Sequence, residues 1–288
     1  MDYAVIVLLQ VVVTVANLAL ISAGLAVIFG MMRIINMAHG EFLMLGGYAA
    51  LVSHQAGLNL WLSIFVVAPL VVGAVGAVIE RLVIRRLYGR MIDTMLATWG
   101  VSLALVGLIT VIFGNTVAGI SPPLGSLSIG AYAIGRYELL VAGVSVLLFA
   151  AGWWVLARTP VGLIARAAMQ NRDMAAALGV DPARVYAITF IAGAAISGLA
   201  GALIAPIAGV APTIGATYIA KTFITVISGG AAILAGTLSA AGLLGAVNAA
   251  FSFLTSPVLG EVALLACAVV LLRLLPQGVT GRYFRRSL

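Results

Sequence analysis

Four polar side chains lie within nine residues of the stretch RIINMAHGEFLMLGG, which separates two long apolar segments. They are Arg33, Asn36, His39 and Glu41. A charged side chain in the middle of a bilayer costs about 3 kcal/mol on insertion scales, so such residues face the protein interior or water. Two roles fit: the group lines a path for a solute, or it locks a broken helix by pairing Glu41 with Arg33 or His39. We favour the lock, with an irregular turn at His39 and Gly40 and with Asn36 capping the next helix.

Motifs of several enzyme classes are missing from the sequence. Lys221 is the only lysine and has no glycine-rich phosphate-binding loop before it. His39 and His54 do not form the H-E-x-x-H zinc motif, and no G-x-S-x-G nucleophile turn is present. Cys267 is the only cysteine, which rules out an intrachain disulfide or a cysteine metal cluster. We therefore expect no catalytic residue, no metal and no cofactor; the enzymatic alternative is an intramembrane hydrolase built on Glu41 and His39.

A second group of polar residues is scattered along the other apolar segments. Most such groups form hydrogen bonds between membrane helices, and a minority can line a solute path. The path candidates are Thr98, Trp99, Ser102, Thr225 and Ser228.

The elements that carry these residues follow from composition. Of 288 residues, 64% are apolar and only 8% are Asp, Glu, Lys or Arg, against about 25% charged residues in soluble domains. Several apolar stretches reach the roughly 20 residues that span a bilayer as a helix. They are continuously apolar, which excludes the alternation of a β-barrel. The sequence predicts an all-α polytopic membrane protein, with residues 1–288 as one transmembrane domain and a retained N-terminal helix.

About eight or nine transmembrane or re-entrant helices are expected. The predicted segments are 3–32, 34–53, 60–79, 91–113, 139–157, 185–207, 222–234, 235–254 and 261–275. The 34–53 and 222–254 regions are rich in small residues and are candidates for half-helices. In both INMAHGEFLMLGGYAALV and ISGGAAILAGTLSAAGLL, a glycine-containing break precedes a helix of small residues. This similarity suggests an internal repeat.

Basic residues predict the orientation in the membrane. All 15 Lys and Arg residues except Arg136 and Lys221 lie in segments 80–90, 158–184 and 273–288 or at Arg33. By the positive-inside rule this side is cytoplasmic, so the C-terminus is inside and the N-terminus is outside. The net charge of +7 therefore reflects membrane topology and not nucleic-acid binding. Residues 114–137 are expected to form a polar outer connector.

Segment 158–184 predicts a separately capped cytoplasmic helix. Thr159 and Pro160 provide a start, Gly179 provides a stop, and Asp181 starts the next helix. The polar members of the segment are Arg166, Gln170, Arg172 and Asp173. The helix either docks on a soluble partner or only fixes the topology.

Three blocks of sequence resemble one family. GLAVIFGMMRIINMAHGEFLMLGGYAA resembles the N-terminal region of the LivH-type permeases of branched-chain amino acid ABC transporters. ERLVIRRLYGRMIDTMLATWGVSLAL is similar to the next block of that group, and its LATWGVSL core is especially similar to the urea-transporter permeases. ARAAMQNRDMAAALGVDPARVYAITFIAGAAISGLAGAL matches the family's cytoplasmic loop and following span. The resemblance covers nearly the whole chain.

The resemblance implies a multi-pass permease of the bacterial inner membrane. It implies as partners a second, related permease, two cytoplasmic ATPases and a periplasmic solute-binding protein. It makes residues 158–184 a coupling-helix loop seated on an ATPase, with Arg166, Gln170, Arg172, Asp173 and Gly179 as its functional residues. It also favours architecture or gating for Asn36, His39 and Glu41, because family members that carry different solutes share this stretch.

The expected function is ATP-driven import of a small solute, either branched-chain amino acids or urea and short amides. One alternative is an ion-coupled secondary transporter that uses Glu41 and Glu261 as proton or cation sites. A passive solute channel is the other.

Overall fold

A computed structural model describes residues 2–130, 132–230 and 232–284. The basic residues Arg285 and Arg286 of the predicted C-terminal patch lie outside this part of the chain, as does Ala231 of the predicted helix 222–234. In the described chain, seven helices are long and apolar enough to cross a membrane, and α2 and α10 are shorter. The prediction of an all-α polytopic membrane protein is confirmed.

Thirteen α-helices are seen in the described residues. They are α1 (Asp2–Met32), α2 (His39–Gln55), α3 (Leu60–Leu62), α4 (Ala68–Leu82), α5 (Met91–Phe113), α6 (Arg136–Arg158), α7 (Pro160–Gln170), α8 (Arg172–Ala177), α9 (Pro182–Ala208), α10 (Ile214–Gly229), α11 (Ile233–Leu254), α12 (Pro257–Leu274) and α13 (Gly278–Phe284). A π-helical turn at Ser63–Val67 joins α3 to α4 in one span, and a 3-10 turn follows at Ile84–Leu87.

Most predicted boundaries agree with the structure, and two differ clearly. Helix α5 covers the predicted residues 91–113, whereas α2 starts at His39 instead of residue 34 because the backbone breaks between the two spans. Helix α10 starts at Ile214 and ends at Gly229, so the predicted helix 222–234 was placed too late. Gly230 follows with a φ of +82°, a left-handed conformation that ends a helix.

The chain divides into two compact units. The first, called the elbow unit, contains Ala23–Ile120 and Ala150–Ile219. In it α2 and α4 both pack on α9. Phe42 and Phe190 meet edge to face, with ring centroids 5.9 Å apart.

Small residues allow the close packing of α2 on α9. A Cβ added at Gly46 would overlap the backbone of Gly198, and the two helices approach each other at these positions because neither residue has a side chain. The elbow unit also contains α7 and α8, two short helices that meet at Asn171. We call this pair the elbow.

The second, called the hairpin unit, contains the chain up to Ser22, Ser121–Phe149 and the chain from Ala220. Helices α11 and α12 pack on each other in it. Strands β1 (Ser126–Ile129) and β2 (Tyr132–Gly135) form an antiparallel hairpin. The sequence was read there only as a polar connector, although Ser126, Leu127, Ser128 and Ile129 alternate polar and apolar residues as a strand does.

Candidate functional site

The backbone breaks between α1 and α2, where the polar stretch predicted a turn. Arg33 has a φ of +51°, which few residues other than glycine adopt, and its side chain is exposed. The Asn36 carboxamide oxygen accepts from the Ala38 N–H at 3.1 Å, and the Asn36 carbonyl accepts from the His39 N–H at 3.3 Å. Asn36 therefore shapes the turn. It does not occupy the N-cap of α2, which is Ala38 and has no side-chain cap.

Glu41 is buried in the first turn of α2 and is bonded to α5. Its Oε1 accepts a hydrogen bond from the Ser102 hydroxyl at 2.6 Å. The donor is Ser102 and neither Arg33 nor His39, the partners that the sequence suggested. Oε2 has no hydrogen-bond partner among the described residues and lies against Gly215 at the start of α10, where a Cβ would overlap it.

Thr98, one turn before Ser102 on α5, completes the connection between α5 and the broken segment. Its hydroxyl oxygen accepts from the Met37 N–H at 3.0 Å and donates to the Thr94 carbonyl at 2.8 Å. The Met37 N–H lies in the turn, where no helical carbonyl is available to it. Helix α5 therefore supplies the hydrogen-bond acceptor for an N–H group that the break between α1 and α2 leaves without a helical partner.

His39 connects the same turn to α9. Its Nδ1 lies 3.2 Å from the Ser197 Oγ, and the Ser197 hydroxyl donates to the Gly193 carbonyl at 2.8 Å. His39 and Ser197 are both fully buried. Ser197 was not predicted as a site residue, and the sequence signal for its role is weak: it is one hydroxyl in a helix of small residues.

We call these six buried residues the polar joint: Asn36, His39, Glu41, Thr98, Ser102 and Ser197. The joint holds the turn before α2 to α5 and α9 through hydroxyl groups and backbone groups. Its packing is close, because a Cβ on Gly40 would overlap the backbone of Gly215. In this arrangement a buried carboxylate bonds to α5 and an imidazole contacts α9, which is the geometry of a structural connection.

The other three predicted path residues are not among the residues of the joint. Trp99 is 54% exposed on α5. Thr225 and Ser228 are buried in the hairpin unit, where the Thr225 hydroxyl donates to the Lys221 carbonyl at 2.7 Å. Thr98 and Ser102 thus belong to the joint in the elbow unit, whereas Thr225 and Ser228 belong to the hairpin unit.

Glu261, the second carboxylate considered for ion coupling, forms an ion pair in the hairpin unit. Its Oε1 lies 2.5 Å from the Lys221 Nζ, and half of the Glu261 side chain is exposed. The lysine supplies the positive charge that a coupling cation would otherwise bring to this carboxylate.

Both helices of the elbow have a side-chain cap at their N-terminus. Helix α7 starts with the Thr159 hydroxyl accepting from the Gly162 N–H at 3.1 Å, and α8 starts with Asn171 Oδ1 accepting from the Met174 N–H at 2.9 Å. One helix was expected here, but Asn171 is extended (φ −150°, ψ 104°) and divides it in two. Asparagine favours this break because its side chain replaces the lost helical acceptor.

The expected stop at Gly179 is confirmed. Gly179 has a φ of +88°, and the Val180 N–H donates to the Ala175 carbonyl at 3.0 Å, as in a Schellman motif. Asp181 then caps α9 by accepting from the N–H groups of Ala183 and Arg184.

The outer face of the elbow is apolar and exposed, with charges beside it. Leu163 is 61% exposed, Met174 is 59% exposed and Leu178 is 78% exposed. Arg166, Gln170, Arg172 and Asp173 are also exposed. The buried residues of the elbow are small: Gly162, Ala165, Ala168 and Ala175. A Cβ on Gly162 would overlap the backbone of α6. The elbow thus presents apolar side chains with nothing covering them in the elbow unit.

Glu80, Tyr88 and Tyr186 were not predicted as functional residues. Glu80 is only 3% exposed although it lies in a membrane span, and the Tyr88 hydroxyl donates a hydrogen bond to it. The sequence feature that could have indicated this site is the single carboxylate in the apolar stretch GAVIERL. We interpret this residue from the sequence only as part of the basic segment 80–90.

Comparisons with known proteins show which sequences this chain resembles. The family described as "Branched-chain amino acid transport system / permease component" matches residues 7–275. The high-affinity branched-chain amino acid transport system permease protein LivH of Escherichia coli K12 is 29% identical, covering 92% of this chain and 91% of the relative. The permease protein BraD of Pseudomonas aeruginosa is 28% identical with the same coverage. A probable LivH permease of Methanocaldococcus jannaschii is 26% identical over 92% of this chain and 88% of its own.

Proposed function

The chain belongs to the family of permease components of branched-chain amino acid transport systems, and from this premise we propose that it forms part of an ATP-driven importer. It is a multi-pass protein of the inner membrane and has the role of a permease, not of an enzyme. In the proposed mechanism, separate ATPase subunits hydrolyse ATP. Their movement exposes the solute path alternately to the two sides of the membrane.

The elbow is the proposed contact with an ATPase. The observation that carries this proposal is a pair of capped helices on which Leu163, Met174 and Leu178 are exposed. Apolar side chains in water are stabilised when a partner covers them. Arg166, Gln170, Arg172 and Asp173 would provide the polar rim of this contact, and Gly179 would fix its end.

The polar joint is proposed to be a lock or gate and not a substrate-reading site. This proposal is supported by the hydroxyl and backbone partners of Asn36, His39 and Glu41, which connect α2 to α5 and α9. The hydrogen bond to Ser102 compensates part of the cost of burying Glu41. Arg33, exposed at the turn, would lie at the cytoplasmic interface.

The proposed assembly contains a second, related permease, two cytoplasmic ATPases and a periplasmic solute-binding protein. The proposed orientation places the C-terminus and the elbow in the cytoplasm and the N-terminus outside, which follows from the positive-inside rule. Residues 1–288 would then form one permease domain with the loop 158–184 as its coupling segment.

The proposed solutes are branched-chain amino acids, with urea and short amides second. The named transport systems of the relatives support the first choice. The similarity of LATWGVSL to urea permeases supports the second, but in the structure Thr98 and Ser102 of this segment are part of the polar joint.

The test is purification of the tagged chain from its native membranes in mild detergent, followed by mass spectrometry. We expect ATPase and second-permease subunits in stoichiometric amounts, and ATP-dependent solute uptake when the complex is placed in liposomes. A chain that purifies alone and moves solute along an ion gradient would be a secondary transporter. Solute flux without ATP or a gradient would indicate a channel, and either result contradicts the proposal.

A further inference from the structure

Arg172 of the elbow contacts an aromatic side chain of a membrane span. Its guanidinium carbon lies 5.8 Å from the centre of the Tyr186 ring, in the geometry of a cation–π contact. Arg172 is the first residue of α8, and Tyr186 lies in the first turns of α9. The contact therefore connects the outer arm of the elbow to a membrane span.

Tyr186 also contacts a second aromatic ring, that of Tyr88. The rings of Tyr186 and Tyr88 meet edge to face, with centroids 5.2 Å apart. Tyr88 follows the 3-10 turn after α4 and packs against a core cluster that includes Ile79, Ile84 and Phe190. A displacement of the Tyr186 ring therefore acts on a side chain that is held by the core.

The connection ends at a buried carboxyl group, that of Glu80. The Tyr88 hydroxyl donates a hydrogen bond to Oε1 of Glu80, which is 3% exposed near the end of α4. Burial, and next the hydrogen bond to the carboxylate, raises the pKa of Tyr88 above its ordinary value. The phenol consequently keeps its proton at neutral pH and remains a donor. Loss of this donor would leave a buried acceptor unsatisfied, which is costly.

We propose that Tyr88 and Tyr186 are positioning residues that transmit movement of the elbow to α4 through the chain Arg172–Tyr186–Tyr88–Glu80. This inference rests on the proposed ATP-driven function, because it assigns the route by which force on the elbow reaches the spans. In this role a movement of α8 displaces Arg172 first. The displacement reaches α4 last, through the Glu80 carboxylate. Arg172 is exposed and can contact a partner at the same time.

The contacts of this relay differ from those of ordinary core packing. Its four members come from α8, α9, the segment after α4, and α4 itself, and each member contacts the next through one directional interaction. A series of this kind has a testable property: breaking any one contact interrupts the whole, and breaking a second contact adds little.

The experiment uses the complete complex of permeases, ATPases and binding protein in liposomes, and measures solute moved per ATP hydrolysed. Tyr88→Phe removes only the hydroxyl and should lower this ratio about tenfold, the effect of losing a hydrogen bond to a buried carboxyl group. Arg172→Ala should lower it about threefold, the effect of an exposed cation–π contact, and Arg172→Lys should recover part of the loss. The double variant should resemble Tyr88→Phe alone.

Tyr132→Phe is the matched control, because it removes a phenol from an exposed hairpin strand and should keep the wild-type ratio. If Tyr88→Phe does not fold, Arg172→Ala still tests the first contact of the relay, because it changes an exposed side chain. A wild-type ratio in Arg172→Ala, or losses that multiply in the double variant, would overturn the relay while leaving the importer intact. Uptake that needs no ATP in the wild-type complex would overturn the proposed function itself, and the relay with it.

Discussion

The polar joint and the elbow are built in opposite ways. In the joint, Glu41 bonds to Ser102 at a sequence distance of 61 residues, and His39 contacts Ser197 at a distance of 158 residues. In the elbow, Thr159 and Asn171 each cap a helix with an N–H only three residues away. The joint is buried and depends on the whole unit, whereas the elbow is exposed and stabilises its own ends. This contrast matches the two proposed roles, in which the joint holds the spans together and the elbow contacts a partner.

The largest expected effect comes from the close packing of α2 on α9 beside the joint. Gly46→Ala would place a Cβ into the backbone of Gly198 and should destabilise the protein by about 3 kcal/mol. The same change at Gly100, where a Cβ meets nothing, should be neutral or slightly stabilising. Thermal unfolding midpoints of the purified variants compare the two. Equal midpoints would show that the packing of α2 on α9 is not close.

The next effect tests the hydrogen bond at the centre of the joint. Glu41→Ala and Ser102→Ala should each cost about 1–3 kcal/mol, because each leaves a buried polar partner unsatisfied. The double variant should cost less than the sum, which a double-mutant cycle on unfolding midpoints would measure. A stable Glu41→Gln variant with a changed solute preference would contradict the lock and make Glu41 a substrate-reading residue.

A smaller and local effect is expected at the elbow. Asn171→Ala removes the cap of α8 and should cost about 1 kcal/mol, felt only in that helix. Hydrogen exchange of the α8 amides should accelerate while the unfolding midpoint of the protein stays constant. Asn59→Ala, which removes the equivalent cap from α3, is the matched control and should leave α8 exchange unchanged. A lower midpoint in Asn171→Ala would show that the elbow is not an independent element.

The smallest effect on stability should come from the exposed charges of the elbow. Replacing Arg166 and Asp173 together by alanine should change the free energy of unfolding by less than about 0.5 kcal/mol. It should nevertheless uncouple ATP hydrolysis from uptake in the reconstituted complex. Normal coupling in this variant would remove these two residues from the proposed ATPase contact.

The same contrast explains what could be predicted from the sequence. The caps at Thr159 and Asp181 and the stop at Gly179 were predictable, because each depends on residues within a few positions. The helix 91–113 was predictable from continuous hydropathy.

The partner of Glu41 was not predictable in this way, because many hydroxyls lie on other spans and only the packing of α5 selects Ser102. The division of the elbow at Asn171 was also missed, since a run of alanine, leucine and methionine on both sides favours one continuous helix. Contacts between residues far apart in sequence, and helix breaks at a single residue, are thus the features that could not be predicted from the sequence.

Asn171 also restricts how the length of this chain can change. It ends α7 and caps α8 at once, so one residue fixes the rotation of the second helix relative to the first. Each residue of an α-helix turns the chain by about 100°. A single insertion or deletion next to Asn171 would therefore rotate Met174 and Leu178 relative to Leu163 on α7. At this point the number of residues is as constrained as their identity.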